Sequence, residues 1–169
     1  MKKALLLLIA ALFAVQNLST PDFRVRGQIK GWKEAPKSFE RFDPKSLYDL
    51  IDGGAPDYNK RGLREGIRQR MNGPGRQEAE IFAEDFGFPD SARSMLAAMK
   101  AALDARVVVP GFDTALAFAY PVVEGLSVYA ALDKYYFEVA LSRVPDQAAG
   151  LREAARFLEY YRQKISRTR

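Results

Sequence analysis

The chain has 169 residues, of which 48% are apolar and 28% charged, the make-up of one globular domain and too hydrophobic for a disordered chain. It contains neither histidine nor cysteine, which removes disulfides, thiolate and imidazole metal ligands, cysteine nucleophiles and histidine general bases. The net charge of +5 loses two units if Lys2 and Lys3 are removed, and the remaining Lys and Arg are interspersed with acids, as in Glu40-Arg41 and Arg64-Glu65; no nucleic-acid partner is expected from such a mixture.

Met1-Lys2-Lys3 followed by the apolar run Ala4 to Val15 reads as a signal peptide or N-terminal anchor over residues 1–19. The run is shorter than the roughly 20 residues a spanning helix needs. Export to the periplasm or the medium is therefore expected, with membrane contact only through residues 1–19 if they stay attached. No cysteine follows the run, so a lipid anchor on cysteine is excluded. Residues 20–42 read as an irregular lead-in with one short strand, its sole tryptophan, Trp32, plugging an edge of the core.

Residues 43–169 read as a single α+β domain. Asp43-Pro44 places a capping residue before a proline at the first helical position, Leu47, Leu50 and Ile51 repeat at helical spacing, and Gly53 suits the left-handed position that ends a helix. A short helix that stops and turns is predicted, with a further helical turn from Pro56-Asp57-Tyr58 to Gly62. Leu63 to Met71 and Gln77 to Phe86 flank the turn signal Asn72-Gly73-Pro74-Gly75 and predict a hairpin, with Ala79, Ile81 and Ala83 on one face and Glu78, Glu80, Phe82 and Glu84 on the other.

A helix is predicted from Ser91 to Ala105. Three strands follow, Thr114–Tyr120, Leu126–Leu132 and Tyr135–Leu141, as a meander, with Pro121 closing the first of them. Asp146 caps a last helix to about Arg167, with a stripe of Leu151, Ala155, Leu158 and Ile165. The predicted fold is α+β: an antiparallel β-sheet, hairpin plus three-stranded meander, packed by two to three helices in a sandwich-like arrangement.

The residues Leu47-Tyr48-x-x-Ile51-Asp52-Gly53-Gly54-Ala55-x-x-Tyr58-x-x-x-Gly62-Leu63 resemble the signature of a family of exported bacterial proteins described as a domain of unknown function. That family shows Leu-Tyr-x-x-Ile-Asn-Gly-Gly-Ala, a tyrosine three residues on and a Gly-Phe pair; Glu80-Ile81-Phe82-Ala83 and Ser91-Ala92 resemble its later parts. Asp52 stands where Asn is usual and Leu63 where Phe is usual. The resemblance implies one exported domain with a sheet-and-helix sandwich similar to that of the extrinsic photosystem subunits, and implies no activity.

Candidate chemistry is sparse. Asp49, Asp52 and Asp57 lack the alternating acids of a calcium loop, and Gly53-Gly54 follow a helix rather than precede one, the wrong order for a phosphate loop. Asp52 with Glu78, Glu80 or Glu84 would make a carboxylate pair for hydrolysis of envelope polymers. Tyr129, Tyr135, Tyr136, Tyr160 and Tyr161, with the phenylalanines, are candidates to line a ligand groove or a partner interface, outward Tyr136 and one of the Tyr160/Tyr161 pair foremost. The expected function is a non-catalytic binding or accessory role in the cell envelope, toward an unknown protein or small ligand. Tyr48, Asp52, Gly53, Gly54 and Tyr58 are the candidate binding residues, and no catalytic residue, metal ligand or cofactor is assigned.

Overall fold

The computed structural model describes residues 22–51, 53–104 and 106–168. The signal-peptide or anchor segment and Asp52 lie outside the described residues. In chain order the elements are β1 (Lys33–Glu34), β2 (Glu40–Phe42), a 3-10 turn (Ser46–Asp49), α1 (Ala55–Lys60), β3 (Glu65–Asn72), β4 (Glu78–Asp85), α2 (Pro89–Ala102), β5 (Ala117–Val122), β6 (Gly125–Leu132), β7 (Tyr135–Ser142) and α3 (Gln147–Ser166).

The strands form one open, seven-stranded antiparallel sheet of order β1-β3-β4-β7-β6-β5, with β2 also paired to β3. Hairpin and meander are therefore continuous: β4 pairs with β7 along its whole length, from Glu78 opposite Ser142 to Asp85 opposite Tyr135. The fold is α+β with helices against both faces of the sheet. Both α2 and α3 pack on β6. Every residue of β6 from Leu126 to Leu132 is buried, which is why its sequence is an apolar run and not an alternation.

The first face carries Ile67, Met71, Ile81, Phe137, Val139 and Leu141 against Phe157, Leu158, Tyr161 and Ile165 of α3. Phe23, Val25, Ile29 and Trp32 from the lead-in complete this core. Trp32 is buried, lies edge-on to Phe157 at 5.1 Å and donates its indole N–H to Glu153 at 2.7 Å. Gln69 is buried among apolar residues and satisfies both its polar atoms on the backbone of Val25, at 2.9 and 2.8 Å. One side chain thus substitutes for a missing strand pairing and fixes the lead-in.

Several local expectations need correction. The predicted helix after Asp43 is a single 3-10 turn: Asp43 accepts from the N–H groups of Lys45 and Ser46 at 2.9 Å each, but only Leu47 of the turn is buried, too little apolar face to hold several helical turns. The reversal at Gly53 (φ 70°) and the stop at Gly62 (φ 91°) do use left-handed glycine geometry. β5 starts at Ala117 and runs through Pro121. It is an edge strand, where a missing N–H is tolerated, and Val107 bridges its outer side at Ala119. In α3 the buried residues are Gly150, Ala154, Phe157, Leu158, Tyr161 and Ile165, so the inward stripe is turned from the predicted one and Leu151 and Ala155 flank it.

The Asp146 carboxylate accepts the Ala149 N–H at 2.7 Å, an N-cap for α3. Replacing it with alanine is expected to lower the unfolding free energy by about 1 kcal/mol, read from the shift of the urea midpoint at unchanged slope.

On the second face α2, α1 and the 3-10 turn cover one end of the sheet with Leu47, Ala55, Tyr58, Leu63, Phe86, Ala92, Met95 and Leu96. Toward the other end Arg70 and Glu78 are exposed, and Arg68, Glu80, Ala140 and Ser142 are half-buried. The sheet is thus covered on one side and half open on the other.

Candidate functional site

The boundary between the covered and open halves of the second face carries the unusual electrostatics of the molecule. Strand alternation points Glu78, Glu80, Phe82 and Glu84 of β4 and Tyr136, Glu138, Ala140 and Ser142 of β7 to the same side. The register puts Glu84 opposite Tyr136, Phe82 opposite Glu138 and Glu80 opposite Ala140. Glu138 is consequently the diagonal neighbour of both Glu80 and Glu84, at backbone separations of roughly 7–8 Å. From the next strand Tyr129 lies opposite Glu138, and Phe118 of β5 stacks on Tyr129 at 5.2 Å.

The three glutamates sit in graded environments. Glu84 is 1% exposed and its Oε2 has no hydrogen-bond partner. Burial, then the charge of Glu138, push its pKa well above the ordinary carboxylate value, favouring the protonated form. Tyr58 and Tyr136 close over this end, their rings 6.3 Å apart, and the Tyr136 hydroxyl is likewise buried without a partner. Glu138 is half-buried; desolvation and the neighbouring Glu80 push it up to about 7, against a hydrogen bond with the Tyr129 hydroxyl. Glu80 is bound by Arg68 through Nε at 2.8 Å and Nη2 at 2.6 Å. The row therefore runs from a buried acid, through a carboxyl that changes charge near neutrality, to an arginine-bound carboxylate at the open end.

A carboxyl titrating near neutrality beside a phenol both donates and accepts hydrogen bonds, and takes up a proton or a cationic group with little penalty. On its far side Tyr120 and Ala140 are half-buried, whereas Ser127 is buried.

Of the five candidate residues Asp52 lies outside the described residues, and the other four do not converge on one site. Tyr48 is 56% exposed, whereas Tyr58 is buried and packs on Phe86 and Tyr136. Gly53 is open to solvent and Gly54 is half-buried beside Ile51. Tyr58 alone reaches the carboxylate row, where burial and Glu84 push its phenol far above the usual tyrosine range. Among the proposed acid partners, Glu78 is on the exposed surface, paired with Arg143 at 2.8 Å. Tyr136, expected to face outward, is fully buried, because α1 and α2 cover that part of the second face. Of the adjacent tyrosines of α3, Tyr161 is buried and Tyr160 half-buried, donating to the Arg24 carbonyl at 3.3 Å. Glu138 was not singled out in the sequence. Its signal is present in the alternation Tyr136, Glu138, Ala140, Ser142, but it acquires meaning only once β7 is paired with β4.

Among the described residues no group of three or more acids is placed to hold a metal ion, and no helix is long and apolar enough to cross a membrane. No family model matches the chain, and no curated protein does. Among solved structures the chain is similar to the extracellular domain of PknH from Mycobacterium tuberculosis, at 13% identity and a TM-score of 0.43 over 78% of this chain and 82% of that one.

Proposed function

We propose that the chain is an exported binding or accessory domain of the bacterial cell envelope that takes its ligand on the open half of the second sheet face, with Glu138 at the floor. The observation that carries the binding reading is the position of Glu138: a half-buried carboxyl raised to about 7, beside Tyr129 and at the edge of the uncovered strands. Export rests on the apolar N-terminal run and on the resemblance of the Leu47 to Leu63 signature to exported bacterial proteins. The ligand this floor suits is uncharged or cationic, rich in hydroxyl, amide or amine groups, because an anion would meet Glu138 and Glu80.

Amide-shift titration of the labelled domain with soluble cell-wall glycan fragments tests the binding reading. The expected shifts fall on Ser127, Tyr129, Glu138 and Ala140, and Glu138→Ala is expected to weaken binding about tenfold, the scale of one hydrogen bond to a charged group. Shifts confined to other surfaces, or affinity unchanged in the variant, would remove Glu138 from the site. Fractionation of cells expressing the full chain, with N-terminal sequencing of the exported product, tests export separately; retention in the cytoplasm overturns it.

A second reading, a carboxylate-dependent hydrolase of envelope polymers, is favoured by one feature: Glu138 and Glu80 are neighbouring acids in contrasting environments, one desolvated and one held by Arg68. Release of reducing ends from cell-wall polymer that disappears in both Glu138→Gln and Glu80→Gln would establish it. Binding without release supports the first reading.

A further inference from the structure

The opposite side of the molecule has a concavity that the carboxylate row does not use. The outward face of α3, the segment around Ile29-Lys30 and the loop Pro110-Gly111-Phe112 border a shallow, open cleft of about 520 Å³. Its apolar wall is made by Ile29, Phe112 and Ala155, with the half-buried Tyr160 beside them. Three cationic side chains line it, Lys30, Arg156 and Arg162, against one carboxylate, Glu159.

The existing contacts show which of these charges are available. Arg156 is committed to the framework: it donates to Glu153 at 2.7 Å and to the Lys30 carbonyl at 2.5 Å, which ties α3 to the lead-in and fixes the mouth of the cleft. Glu159 is neutralised by Arg162 and by the Gln163 amide, which donates at 2.9 Å. Arg162 lies 5.2 Å from the centre of the Phe112 ring, held by a cation–π contact at the apolar wall. The Lys30 ammonium makes no hydrogen bond or ion pair among the described residues. The sole acid of the lining is thus compensated by Arg162, which itself lines the cleft, while Lys30 is left without an ion-pair partner among the described residues.

We infer that this cleft is a binding site for a small anionic ligand with an apolar ring, the ring against Ile29, Phe112 and Ala155 and the carboxylate or phosphate between Lys30 and Arg162. The apolar wall supplies burial, which does not depend on charge, and the two cations supply selection for an anion. The site is independent of the carboxylate row, which rejects anions and lies on the other face of the sheet.

Benzoate, with benzyl alcohol as its uncharged counterpart, tests the assignment by amide-shift titration of the purified domain. Benzoate is expected to give saturable shifts confined to residues 28–30, 110–112 and 155–163 and to bind about tenfold more tightly than benzyl alcohol, as expected for two partly exposed ion pairs at up to about 1 kcal/mol each. The exposed double variant Lys30→Ala/Arg162→Ala is expected to bring benzoate to or below the affinity of benzyl alcohol, because Glu159 then loses its partner, and Ala155→Phe to abolish both by filling the cleft. Equal binding of the two probes, shifts elsewhere, or no saturation by benzoate would each overturn the proposal. Because Ala155→Phe leaves every charge in place and the double variant leaves the apolar wall in place, loss of fold in either one still leaves the other as a test.

Discussion

Glu84→Gln is expected to flatten the pH dependence of stability. The Glu84 carboxyl is buried with an unpartnered oxygen, and its folded pKa lies well above the ordinary value of 4.5 because of burial and then Glu138. Folding therefore takes up a proton at pH values between the two. The stability associated with this group is complete below pH 4.5 and is lost as pH rises, at about 1.4 kcal/mol per unit, until the folded pKa is passed. Glu138, raised to about 7, contributes a second loss in the same direction between 4.5 and 7. Glutamine retains the shape without the titration, so the variant should lose less stability than the wild type as pH rises above 4.5. Its unpaired amide carries a cost of its own, but one that does not vary with pH. Urea unfolding at several pH values measures the difference; parallel pH profiles for the two proteins would mean that Glu84 is solvated and the row is not as described.

Tyr161 is expected to give effects of opposite sign in two substitutions. Its ring is fully buried, stacked on Phe137 at 4.6 Å and edge-on to Phe23 at 5.7 Å. Tyr161→Ala opens a cavity where α3, the sheet and the lead-in meet, and a loss of about 3–5 kcal/mol is expected. Its hydroxyl, however, is buried with no partner. Removing that oxygen in Tyr161→Phe should stabilise the chain by about 1 kcal/mol, the low end of the penalty for an unsatisfied polar group. Both are best measured at pH 5, where less of the Glu84 and Glu138 penalty is present. A loss of stability in Tyr161→Phe would show that the hydroxyl has a partner in solution.

Strands β3 to β7 were legible because each announces itself locally, whereas the short β1 and β2 of the lead-in, read as a single strand, were not. The alternations in β4 and β7 and the turns at Asn72-Gly73-Pro74-Gly75 and Asp133-Lys134 depend only on neighbours in sequence. What was not legible was the pairing of β4 with β7, which joins residues as far apart as Glu78 and Ser142, and that pairing alone assembles the carboxylate row. Glu84 and Glu138 look like solvent-facing positions in an amphipathic strand; they differ from Glu78 only because α2 and α1 cover one end of the second face and not the other. Tyr136 was misplaced for the same reason. The Leu47 to Leu63 signature shows the opposite limit. Its caps and glycine turns are readable, but whether Tyr48 or Tyr58 points inward is decided by packing partners, Phe86 and Tyr136, that lie far along the chain.

Phe23, Val25, Ile29 and Trp32 find their partners on α3, and Trp32 reaches Glu153 across 121 positions of sequence. The first described residues, the sheet and the last helix therefore share one core. Such long-range closure is slow and cannot begin until the distant partner exists. As the chain is synthesised, its early apolar residues must wait, exposed, for nearly the whole sequence to follow. The arrival of α3 is expected to complete the burial of the lead-in.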